Sequence, residues 1–216
     1  MSDTRQACIG AERWLSVHDD LLRTLAHAIS NRLATIAAAA SVLDAGTVPD
    51  TRLLDGLRGE TDRLEGLLQQ LRQLPRHADA ALEPMLFADA LDGAKRLIAE
   101  HPLLRGRELR VVSVGDVVPV RAEPGALLHA TAVALLAAAR VGPGPIEAEL
   151  ETVGDDVQLT ARHDGACDGD PGGIPLAHDA LAMEWLLAGS NGRATAHPTG
   201  CTVAVPTLQA SRRRAG

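Results

Sequence analysis

Two long runs of apolar residues at helical spacing, separated by only a few residues, restrict this chain more than any other feature. Leu15, Leu22, Leu25, Ile29, Leu33, Ile36 and Leu43 recur at steps of three, four or seven, which is the spacing of one apolar helix face. From about Asp50, Leu53, Leu54, Leu57, Leu64, Leu67, Leu68, Leu71 and Leu74 do the same. Between the runs, Asp44-Ala45-Gly46-Thr47-Val48-Pro49-Asp50 reads as a stop and a restart: Gly46 suits a left-handed cap and Pro49 a first helical turn. So short a link makes the helices antiparallel neighbours. A two-helix hairpin leaves an apolar stripe uncovered. Its simplest completion is a second copy, a four-helix bundle at a homodimer interface; packing on the rest of its own chain is the alternative. Ser16, followed by Asp19 and Asp20, predicts the start of the first helix, with residues 1 to about 12 frayed.

His27 lies between two positions of the first apolar stripe, so its ring is expected at the edge of the seam, with Asn31 one turn further along the same face. An unperturbed imidazole is a nucleophile near neutral pH, and a rigid helix presents it in a fixed direction. A solvated or packed helical histidine is the plainer reading. His18-Asp19 is a rival pair, but it sits near the expected helix start, roughly 13 Å from His27 at ~1.5 Å per residue.

Composition narrows the chemistry. The 216 residues are 46% hydrophobic and 23% charged, those of a globular chain of one large or two small domains. Only 1% are aromatic and the net charge is -7, which argues against nucleic-acid binding through stacking platforms or phosphate neutralisation. Cys8, Cys167 and Cys201 are far apart, form no metal-ligand spacing and suggest a reducing compartment. The N-terminus lacks an export pattern, and the longest apolar run, Ala130 to Ala139, falls short of the ~20 residues that cross a bilayer, so a cytoplasmic location without a membrane partner is expected.

Pro75-Arg76-His77-Ala78-Asp79 reads as a linker, dividing the chain into a hairpin domain, 1–77, and a second domain, 78–216. The second is expected to run helix (Met85 to about Glu100), strand (Glu108 to Val114), short strand (Val117 to Ala122) and apolar helix (Gly125 to Arg140). A β-hairpin about Gly154-Asp155 follows, then a Gly- and Asp-rich loop from Asp164, a helix from about Ala177 to Ala188 and two last strands. The fold class is thus α+β. Arg212-Arg213-Arg214 is read as a solvated tail.

His27, Asn31 and Leu33 resemble the phosphoacceptor box of the sensor histidine kinase superfamily, where an acidic residue usually follows the His; here that position is Ala28. In the family the carboxylate is the base when ATP donates. The element order of the second domain resembles the ATP-binding domain of the same kinases, and the whole resemblance covers about 15 to 207. Glu123-Pro124 looks like the family's Asp-Pro turn. Ala134-Leu135-Leu136-Ala137-Ala138-Ala139 falls where the family has Asn-Leu-Leu-x-Asn-Ala, so Ala138 stands in place of the magnesium ligand and offers no oxygen. Asp164 matches the adenine-reading Asp, without the second glycine of its turn; Pro171-Gly172-Gly173 is a phosphate-loop candidate for which a surface turn is the plainer reading.

The combination resembles the histidine phosphotransferases of the ChpT type, a degenerate histidine kinase core. That resemblance implies His27 as nucleophile and carrier, Asn31 as its catalytic companion, and Arg32, Arg23 and Ile29 as partner-binding residues. It implies response-regulator receiver domains as partners, with no cofactor or metal held by this chain and Mg2+ on the receiver. A phosphatase or non-catalytic receiver-binding pseudokinase, a residual ATPase and a purely structural dimer are the alternatives.

Overall fold

The computed structural model describes residues 2–44, 51–72, 81–165 and 174–215. The expected link at 45–50, the linker at 75–79 and the glycines at 172 and 173 lie outside them. The chain forms two compact units: one joins 1–18 to 75–216, the other is 19–74.

In the second unit, α1 (Ser2–Asp44), whose first turns belong to the first unit, and α2 (Thr51–Arg72) are the long helices the leucine runs predict. The helix starts at Ser2, not at Ser16, so the expected fraying of residues 1–12 is corrected. The reason is a seam that leucines alone do not reveal. Gly10, Trp14, Val17, Leu21, Leu25 and Ala28 are the buried positions, at steps of four and three. Of the stripe read from the sequence, Leu25 is buried, whereas Leu15 and Leu33 are 58% and 50% exposed. With Val42, Leu54 and Leu68 they form the uncovered apolar residues of the two long helices.

The first unit is built on a five-stranded mixed sheet. Its strands are β2 (Leu109–Val114), β4 (Ile146–Val153), β5 (Asp156–His163), β6 (Arg193–His197) and β7 (Gly200–Pro206), in the order β2-β4-β5-β7-β6. β2 and β4 run parallel and the other pairs antiparallel. The β4–β5 hairpin turns at Gly154, which has φ 60°, a left-handed value that glycine adopts without strain. β1 (Glu83–Met85) and β3 (Val120–Ala122) pair separately, so the helix expected from Met85 starts later, as α3 (Phe87–Ile98).

Alternation decides which sheet face is covered. Ile146, Ala148 and Leu150 on β4, Val157, Leu159 and Ala161 on β5, and Cys201, Val203 and Val205 on β7 are buried, while the residues between them are mostly polar. Over the buried face lie α4 (Pro124–Val141) and α5 (Leu176–Leu187). α4 starts as the sequence predicts: Glu123 caps it, accepting from the Gly125 amide at 2.9 Å and from the Ala126 amide, with Pro124 in the first turn. Nearly every residue of α4 is buried, so a helix long and apolar enough to cross a bilayer is here the core of the lobe. The last element is α6 (Leu208–Ala215), so the arginine run is helical, with Arg212 and Arg213 exposed to solvent as expected. Arg213 pairs with Asp155.

Candidate functional site

Within the hairpin, helical geometry brings the two expected catalytic groups together. The side chains of His27 and Asn31, four residues apart on α1, are both exposed, and Asn31 Nδ2 lies 3.2 Å from His27 Nε2. An amide nitrogen only donates. With the amide so oriented, the single in-plane lone pair of Nε2 accepts from Asn31 and the proton of the neutral ring sits on Nδ1. The helix backbone around the pair is intact and carries side-chain bonds of its own, from Ser30 Oγ to the Ala26 carbonyl at 2.8 Å and from Thr35 Oγ1 to the Asn31 carbonyl at 3.0 Å.

Arg32 points the other way. Half-buried, it donates from Nη1 to Glu60 Oε2 at 3.1 Å, tying α1 to α2, and Arg63 binds the same carboxylate. Burial raises the Glu60 carboxyl, but the hydrogen bonds from Arg63 and Arg32 outweigh it and hold the group below the ordinary carboxylate range. Arg23 is exposed, one turn before His27, and pairs loosely with Asp20 at 3.6 Å; Ile29 is half-buried. Arg23, His27 and Asn31 therefore follow one another at successive turns, while Arg32 braces the hairpin.

The rival His18 belongs to the first unit, where it lies edge-on to Trp14 with ring centroids 5.5 Å apart. Trp14 in turn meets His129 of α4 at 5.0 Å. His129 is wholly buried; its Nδ1 donates to the Gly125 carbonyl and its Nε2 has no hydrogen-bond partner among the described residues. Burial, aided by His18 and only partly opposed by the Gly125 bond, depresses it to about 4. The same unit holds a cluster no motif reveals. Asp179 of α5, fully buried, accepts from Arg13 Nε at 2.8 Å and from Arg140 Nη2. Two guanidinium groups thus share one carboxylate, and burial lowers Arg140 against the pull of Asp179.

Of the nucleotide positions implied by the family resemblance, 134, 138 and 164 lie among the described residues. Ala134 and Ala138 are fully buried methyl groups, which offer neither an oxygen nor an opening. Asp164 is exposed and 3.2 Å from Arg110, leaving its carboxylate engaged in a surface ion pair. Among the described residues, no three His, Cys, Asp or Glu side chains cluster as a metal site. Cys201 is buried and its thiol pushed up to about 12 by burial and by Asp179, so it is inert as a nucleophile.

No family model and no curated protein matches the sequence. Solved structures do. The Acinetobacter baumannii histidine kinase AdeS aligns at TM-score 0.47 and 16% identity, over 87% of this chain and 97% of that one. A bacterial phosphotransferase aligns at TM-score 0.47 and 14% identity, over 88% of this chain and 95% of that one. The histidine kinase ThkA, solved with the response regulator TrrA, gives 0.45 and 12%, over 96% of this chain and 67% of that one. These three solved structures are thus two histidine kinases and a bacterial phosphotransferase.

Proposed function

We propose that the chain is a histidine phosphotransferase that relays phosphoryl groups between receiver-domain aspartates of a two-component phosphorelay through His27, without binding ATP. The observation that supports this most directly is the exposed His27 Nε2 with the Asn31 amide on it. In the step, the Nε2 lone pair attacks phosphorus of an aspartyl phosphate on a docked receiver. The acyl P–O bond breaks, and the aspartate leaves as a carboxylate with the electron pair. Nδ1 keeps its proton. Asn31 swings aside and turns its N–H toward a phosphoryl oxygen, a charge-assisted bond in place of a neutral one. The reverse step delivers the group to a second aspartate, and magnesium belongs to the receiver. Arg23, one turn before the ring on the same face of α1, is the docking residue beside it, and Ile29 would meet the partner away from that face. The absence of nucleotide binding is inferred from Ala134 and Ala138, and pairing into a homodimeric bundle from the uncovered Leu33, Val42, Leu54 and Leu68.

The test mixes the protein with a phosphorylated receiver in magnesium. Acid-labile label on this chain is expected, absent in His27→Ala and slowed in Asn31→Ala. Label lost from the receiver without appearing here assigns a phosphatase role instead; no change in the receiver defeats both.

A further inference from the structure

Every residue of β2 from Arg110 to Val114 is exposed, and Val111, Val112 and Val114 are 43%, 42% and 45% accessible. Among the described residues β2 is an edge strand, hydrogen-bonded only to β4. The register places Val112 and Val114 on the polar face beside Glu149 and Glu151, and Val111 on the opposite face beside Ala148. Ala148 and Leu150 are buried while Val111 is not, so the helix layer stops one strand short. A valine-rich strand open on both faces and along one edge is a template for another strand, and soluble proteins ordinarily cover or charge such an edge.

Charge selects the occupant. Glu147, Glu149 and Glu151 form a row on the neighbouring strand; among the described residues Arg162 pairs with two of them, Glu147 at 2.6 Å and Glu149 at 3.6 Å. Arg110 is taken up by Glu108 and Asp164, which leaves carboxylates in excess. A strand added beside β2 would lie about 10 Å from that row, two strand spacings and roughly one Debye length away. A second copy would bring a second acidic row to the same face.

We propose that β2 is a docking edge for an extended segment of a partner protein in which apolar and basic residues alternate, added to the sheet as a sixth strand. Main-chain hydrogen bonds to β2 hold it, its apolar side chains cover the valines, and its basic side chains sit in the field of the glutamates. This surface is separate from the His27 site and does not depend on that reading.

The test uses the full chain and two synthetic ten-residue peptides, one alternating valine with lysine and one alternating valine with glutamate. The lysine peptide is expected to bind, to slow amide exchange within 109–114 at least tenfold at saturation, and to weaken with added salt. Val112→Lys and Val114→Lys, at side chains already in water, are expected to lower its affinity at least tenfold without changing the circular dichroism spectrum. Equal binding of both peptides, protection elsewhere, no binding, or self-association that these substitutions abolish would each overturn the proposal.

Discussion

His129 makes the lobe acid-sensitive in a calculable way. Its folded value is depressed from 6.5 to about 4 by burial under Trp14, so the folded protein holds it neutral where the unfolded chain would protonate it. The contribution is therefore fully present above pH 6.5 and is lost as pH falls toward 4. At pH 5 the unfolded state gains a factor of about thirty, or about 2 kcal/mol, and below pH 4 the full loss is about 3 kcal/mol. His129→Leu removes the titration at nearly conserved volume. Urea unfolding of both proteins at pH 8 and pH 5 is expected to show a pH-dependent loss about 2 kcal/mol smaller in the variant. His197, also lowered by burial, is common to both and cancels. Identical losses in the two proteins would refute the assignment, whatever the variant's stability at pH 8.

Asp179→Ala leaves Arg13 and Arg140 buried without a counter-ion, and a loss of about 3–5 kcal/mol is expected in the same unfolding assay. At Gly10 an added Cβ would clash with the Leu181 carbonyl oxygen, so Gly10→Ala is expected to cost about 1–3 kcal/mol and to speed proteolysis of the first turns of α1. Iodoacetamide at pH 8 is expected to modify exposed Cys8 and to spare buried Cys201 until urea is added, as read by peptide mass mapping.

What the sequence made legible was local. His27 and Asn31 meet because four residues make one helical turn, and the β4–β5 hairpin follows from two alternating runs about Gly154-Asp155. What it hid was long-range or carried by unlikely residue types. Arg13 and Asp179 are 166 positions apart, and no spacing rule joins them. The start of α1 was missed because its buried seam uses Gly10, Trp14 and Ala28 alongside leucines. For α6 the signal is Thr207, which caps the helix, its hydroxyl accepting from the Ala210 amide at 3.1 Å, although three consecutive arginines by themselves favour a solvated tail. Arg32 resembled a docking residue, yet Glu60 on the facing helix engages it.

The parallel pairing of β2 with β4 also has a kinetic side. The two strands are joined through β3 and α4, so this contact closes a long crossover, whereas β4 finds β5 across a tight turn. Non-local parallel pairing forms late, after its loop entropy has been overcome. As the chain leaves the ribosome, 109–114 emerges before β4 exists to pair with it, and it is also the strand with most to gain from a chaperone's temporary cover.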